Sequence, residues 1–178
     1  FIVGYAASEP PGTPGGTANF DAPAIDGAGM QVTARLDGDE YVINGRKYWP
    51  CNVGGWDNNG ANLNLVVVRT DPEAGGTAGL SAIMVERGTP GITYHSISTS
   101  AQRSAPNCEI IFDNARVPAR NLIEGTKGNG DLLINRNFAW SGPVAGIGAV
   151  AVARAAYEDA LHWAKTYTAG GPKPIINY

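Results

Sequence analysis

The chain is 178 residues long, with 43% hydrophobic and 16% charged residues and a formal net charge of −3. This excludes a chain disordered by composition. Thirteen Lys+Arg against 16 Asp+Glu leave no basic surplus for nucleic acid or an anionic membrane surface. Gly 24 and Pro 12 favour turn-rich β structure over a helical bundle.

The first two thirds of the chain read as β. Met30–Leu36 alternates, with Val32, Ala34 and Leu36 on one face. Asp37-Gly38 is a hairpin signal before a strand at Glu40–Ile43. Asn44-Gly45 reads as a second turn, followed by a strand at Arg46–Trp49. Leu63–Arg69 is a Val-rich run of the buried-strand type. Leu80–Glu86 and Ile92–Ile97 flank a turn at Gly88–Gly91. Glu109–Phe112 is a further strand, and Pro118 ends or edges that element. Short strands with turns at this spacing predict a sandwich or barrel.

The pattern changes after Gly130. Ala149, Ala153, Ala156 and Ala160 recur at helical spacing, and Pro143 is expected to kink or begin a helix. Phe138–Ala153 is a run of sixteen residues without charge, flanked by Arg136 and Arg154. It falls short of the ~20 apolar residues of a membrane span and reads as a helix covered by other helices. Neither Phe1-Ile-Val nor Ile175-Ile176-Asn177-Tyr178 resembles a polar, frayed tail. The expectation is an internal piece of a longer protein. With no signal peptide visible, a cytoplasmic or other intracellular location is expected.

Chemical motifs of the common kinds are missing. Cys51 and Cys108 form no CxxC, and His95 and His162 are isolated, so neither a disulfide nor a metal site is predicted. There is no GxGxxG, no Walker A sequence and no serine nucleophile elbow. The residues by themselves lead to a β domain followed by helices.

Three stretches lead further. They are Ser8-Glu9-Pro10 with the Gly-rich sequence to Asn19, Tyr41-Val-Ile-Asn-Gly-Arg-Lys-Tyr-Trp49, and Phe112-Asp-Asn-Ala-Arg-Val-Pro118. Together they resemble the middle domain of the acyl-CoA dehydrogenase superfamily. Its pattern runs Thr-Glu-Pro, Gly-Ser-Asp, Asn-Gly-x-Lys-x-Trp and Phe-x-x-x-x-Val-Pro in the same order. Within it the nearer resemblance is to the nitroalkane oxidases. It is carried by Trp49-Pro50-Cys51-Asn52, Gly54-Gly55-Trp56-Asp57, Gly16-Thr17-Ala18-Asn19, Phe138-Ala-Trp-Ser141, Ala153–Leu161, and Gly170-Gly171 with Ile175-Ile176.

The resemblance implies an FAD-dependent oxidoreductase. Its expected fold is mainly β: an antiparallel β-barrel middle domain over residues 1–124, which binds flavin. Residues 125–178 would be the start of a truncated C-terminal four-helix bundle, entered by a long α-helix. Flavin contacts fall to Tyr5, Ala6, Ala7 and Ser8, whose backbone and hydroxyl meet the ring. They fall also to Thr17, Ala18 and Asn19, to Trp49 as a ring-packing wall, and to Pro50 and Cys51 beside flavin N5. Cys51 departs from the family's Ser or Thr, a thiol being a weak donor. The extra Pro-Gly-Thr-Pro at residues 11–14 shifts the register near Thr17. Ser141 matches a serine that hydrogen-bonds the catalytic aspartate, so it is the one catalytic-site candidate. It would orient a base lying beyond Tyr178, which leaves this stretch alone inactive. Asn135 stands where some acyl-CoA dehydrogenases carry a glutamate base, and an amide cannot serve. Ala169 replaces an arginine that reaches the FAD of a neighbouring subunit; Lys165 and Lys173 lie nearby.

The implied reaction is oxidation of a nitroalkane to an aldehyde or ketone, with release of nitrite and hydrogen peroxide. The alternatives are an acyl-CoA dehydrogenase or oxidase acting on a thioester, and a non-catalytic oligomer scaffold. The implied partners are a small-molecule substrate, either nitroalkane or acyl-CoA, and further copies of the chain in a homotetramer. Neither nucleic acid nor membrane is expected.

Overall fold

The computed structural model describes residues 1–13, 29–100, 103–130 and 132–178. The chain forms two units, Phe1–Asn135 and Arg136–Tyr178. Among its described residues the first holds seven strands: β1 Val3–Ala6, β2 Thr33–Asp37, β3 Glu40–Cys51, β4 Leu63–Arg69, β5 Leu80–Glu86, β6 Ile92–Ile97 and β7 Asn107–Pro118.

β4 organises the sheet. One side pairs antiparallel with β5 along its whole length, from Leu63↔Glu86 to Arg69↔Leu80. β1 and β2 take the other side and run parallel to β4. β1 pairs from Val3↔Leu63 to Ala6↔Val66, and β2 pairs at Thr33↔Arg69. The sheet continues through the β2–β3 hairpin, the long β3–β7 pair and β6.

The expected closed antiparallel barrel is therefore corrected to an open, curled, mixed sheet. Parallel neighbours arise because the chain reaches β4 from β1 by a crossover through the β2–β3 hairpin, and local turn signals carry no trace of such a route. β5 and β6 do not pair with each other. The outer edge of β5 is covered instead by the stretch after β7. Ile123 N donates to Ala82 O at 3.0 Å, Ala82 N donates to Thr126 Oγ1 at 3.1 Å, and Asn121 Nδ2 donates to Met84 O at 3.0 Å. Covering an edge in this way removes a pairing template.

Two strand expectations change. The alternating stretch at Met30 joins the sheet only from Thr33. Asn44-Gly45 is not a turn, and β3 runs unbroken through it with a register shift between Ile43 and Gly45. Gly45 has φ +127°, and a Cβ there would meet Val32 Cα at 3.0 Å. Only glycine suits that bulge. The Asn44 side chain, free of a turn, accepts from Asn114 N across the pair at 2.8 Å. The expected strands at Leu63–Arg69, Leu80–Glu86 and Ile92–Ile97 form as read, and β7 extends well beyond Glu109–Phe112.

Two apolar clusters lie on the two faces of β4. Val66 and Val68 join Ala6, Val32, Ile43, Ile83, Val85, Ile110 and Phe112 in one; Val67 joins Ala7, Met30, Leu80, Ala82 and Leu133 in the other. Burial on both faces explains why β4 reads as a continuous apolar run.

A π-helical turn at Leu132–Arg136 precedes α1, Asn137–Thr166. Pro143 neither begins nor ends this helix; it lies inside it, as the seventh residue. No side chain of α1 is buried. By length and composition alone, Leu132–Thr166 could cross a membrane. The chain leaves α1 at Tyr167, whose ring stacks on Trp163 at 4.5 Å, and ends in a short turn at Ile175–Asn177.

Candidate functional site

The exit of β1 and the end of β3 meet at one edge of the sheet. Tyr48 N donates to Ser8 O at 2.9 Å, which brings Tyr5–Ser8 alongside Trp49–Cys51. Within the bulge of β3 between Tyr48 and Cys51, Trp49 has a φ of +75°, and Asn52, just past the strand, has a φ of +63°. A left-handed conformation is uncommon for a bulky residue and costs about 1–3 kcal/mol. Here it turns the indole out of the sheet. Trp49 is 38% exposed, and Tyr48 supports it edge-on at 5.0 Å. Bulges of this kind re-aim side chains next to active sites.

Beneath this edge lies a buried ion pair. Lys47 and Glu9 are 0% and 1% exposed, with Nζ–Oε1 at 3.1 Å. Lys47 Nζ also donates to Ala7 O at 2.9 Å. Glu9 accepts from Gln31 N at 2.7 Å and Val32 N at 2.9 Å. Burial pulls the Lys47 ammonium down to about 8, against the opposing influence of Glu9.

The other candidates divide by environment. Ala6 and Ala7 point into the two cores, so only their main chain is available at the edge. The Tyr5 hydroxyl donates to Leu133 O, and burial pushes its pKa up to about 12. Ser8 is half-buried, Pro50 is buried and Cys51 is exposed. Cys51 Sγ donates to Asn107 Oδ1 at 3.2 Å. Thr17, Ala18 and Asn19 lie outside the described residues. Ser141 is an exposed residue of α1, in the second unit. Beyond Cys51 the loop to Gly60 is pinned by Arg87, which pairs with Asp57 and donates to Gly60 O at 2.8 Å. That pairing holds the Asp57 carboxyl down to about 2. Among the described residues no three His, Cys, Asp or Glu side chains are grouped to hold a metal ion.

The edge suits a flat, partly polar ring. An indole held outward in a strained conformation gives it a wall. Ser8 brings a hydroxyl and residues 6–8 bring main chain. The Glu9–Lys47 pair is what reading by motif missed. Its signal was present in part, since Glu9 is the only acidic residue before Asp21.

A family model described as the acyl-CoA dehydrogenase middle domain matches residues 21–115. The chain belongs to the acyl-CoA dehydrogenase family. It is 36% identical to the nitroalkane oxidase of Fusarium oxysporum over 93% of this chain and 40% of that protein. It is 34% identical to the cyclohex-1-ene-1-carbonyl-CoA dehydrogenase of Geobacter metallireducens over 99% of this chain and 42% of that protein. A solved structure of the flavoprotein nitroalkane oxidase superposes with a TM-score of 0.80 at 34% identity, covering 98% of this chain and 43% of that one. An acyl-CoA dehydrogenase from Geobacillus kaustophilus gives 0.82 at 29% identity, covering 100% and 43%. The chain thus spans about two fifths of the length of the curated relatives it matches. The nitroalkane oxidase and acyl-CoA dehydrogenase relatives mark a family of FAD-dependent oxidoreductases.

Proposed function

We propose that the whole protein is an FAD-dependent enzyme that oxidises nitroalkanes to aldehydes or ketones, releasing nitrite and hydrogen peroxide. The observation that carries this reading is the edge where left-handed Trp49 stands beside Ser8, in a chain similar to nitroalkane oxidases over more than nine tenths of its length.

Bound there, FAD would supply the electron acceptor. Trp49 would flank its ring, the Ser8 hydroxyl and the main chain of Tyr5, Ala6 and Ala7 would hydrogen-bond it, and Pro50-Cys51 would border N5. Thr17, Ala18 and Asn19 are proposed to join them. Residues 1–124 are then the flavin-binding middle domain, and residues 125–178 open a C-terminal helical domain. Ser141 would orient a carboxylate base carried by the rest of the protein. Such a base must sit within hydrogen-bond reach of the α-proton, which the nitro group makes acidic. Asn135 cannot replace it. Assembly as a homotetramer in an intracellular compartment completes the proposal.

The test is nitrite release from nitroethane by the whole protein, with oxygen uptake followed in parallel. Matched nitrite and oxygen support the proposal, and a flavin-loaded protein that forms no nitrite overturns it. A second reading, an enzyme acting on acyl-CoA thioesters, is favoured by the likeness to cyclohex-1-ene-1-carbonyl-CoA dehydrogenase over 99% of the chain. Bleaching of the flavin by an acyl-CoA under anaerobic conditions, without nitrite from nitroethane, would select it.

A further inference from the structure

Among the described residues, every polar contact that the Glu9–Lys47 pair makes outside itself, the weak approach of Lys47 to Met30 Sδ at 3.7 Å excepted, is to main chain. The partners are Ala7 O, Gln31 N and Val32 N. The surroundings are apolar. Ile110 lies opposite Lys47 in the β3–β7 register, and Val32, Ile43 and Ile110 are all buried. An apolar pair of similar volume would serve stability as well or better, because two charges taken from water recover little more than their desolvation. What an apolar pair could not do is fix the course of three main-chain segments. Ala7 and Glu9 enclose Ser8, and Lys47 precedes Tyr48, whose N–H binds Ser8 O, and Trp49.

We infer that Glu9 and Lys47 are positioning residues: their pair sets the separation and tilt of the Ser8 main chain relative to Trp49, and so the geometry of the ring-binding edge. The inference rests on the flavin reading of that edge. Neither residue touches the ring, and both act through the backbone that does.

The experiment compares the whole protein with Lys47→Met, Glu9→Gln and the double variant E9Q/K47M. FAD affinity, visible circular dichroism of the bound flavin and Tm are measured on each. Lys47→Met strands a buried carboxylate and lowers Tm most. The double variant removes both charges, keeps one acceptor oxygen for the Gln31 or the Val32 amide, and recovers part of the lost Tm. If the pair positions the edge, the double variant still binds FAD roughly tenfold more weakly and keeps an altered visible dichroism. If Tm, affinity and dichroism recover together, the pair is structural and the inference is overturned. Glu9→Asp covers poor folding of the double variant, since it keeps both charges and shortens the reach by one methylene. Weakened FAD binding and a shifted dichroism at near-native Tm support positioning; unchanged values overturn it. A wild-type protein that binds no flavin overturns the reading of the edge and this inference with it. A flavin-loaded wild type with indifferent variants overturns this inference alone.

Discussion

Trp49 carries a backbone conformation that most residues avoid, and the residue is more than a third exposed. Strain retained beside an exposed aromatic points to use rather than packing. Trp49→Ala should therefore lower Tm only slightly while weakening FAD binding by roughly tenfold, as read by fluorescence titration of the whole protein. Lys47 gives the opposite case, a charge fully out of water. Its folded pKa, about 8, lies below the ordinary lysine value of 10.5. Between these values the unfolded chain binds more protons than the native one, so the Lys47 contribution to stability rises with pH across that window. Relative to Lys47→Met, the wild type should gain on the order of 3 kcal/mol between pH 7.5 and pH 10.5. Urea unfolding of both proteins along a pH series measures the difference.

Among the elements, β3 shows most plainly what local sequence reveals and what it hides. Asp37-Gly38 marks a true hairpin because both flanking strands end there. Asn44-Gly45 carries the same signal, yet the strand continues, because β7 supplies a long partner and Val32 crowds the glycine. A turn motif states which conformations are permitted; only the partner strand decides whether the chain reverses. Gly45→Ala should cost about 2–3 kcal/mol, since the added Cβ meets both the φ penalty and Val32; chemical denaturation checks it. β4 was legible because burial on both faces leaves a continuous apolar run. The parallel β1–β4 pairing was not, since it joins residues sixty positions apart. At the candidate site, Ser8, Trp49 and Cys51 came forward through the family resemblance of the motifs around them. The outward turn of Trp49 and the pairing of Glu9 with Lys47 could not, because both depend on a bulge and a long-range contact.

For the molecule as a whole, the two units differ in how they hold themselves. The β unit has cores on both faces of β4. The helical unit exposes Val144, Ile147, Val150 and Val152, each about two-thirds exposed or more. Residues 1–178 produced alone should therefore bind a hydrophobic dye strongly. Val144→Lys with Val150→Lys should cut that binding and raise solubility while leaving the thermal transition of the β unit in place. Dye fluorescence and calorimetry on the same samples test both statements.

The pairing of β1 with β4 also imposes a schedule. Val3 cannot find Leu63 until some sixty further residues have been made, which takes roughly 3–12 s at ordinary ribosomal speeds. Throughout that interval the nascent chain holds Phe1-Ile-Val-Gly-Tyr-Ala-Ala, an apolar stretch whose partner strand does not yet exist. The same seven residues, which end at the proposed ring-binding edge in the finished protein, would be open during synthesis to chaperones or to another nascent chain. Protein yield should therefore respond to translation rate and chaperone supply more than its equilibrium stability would indicate.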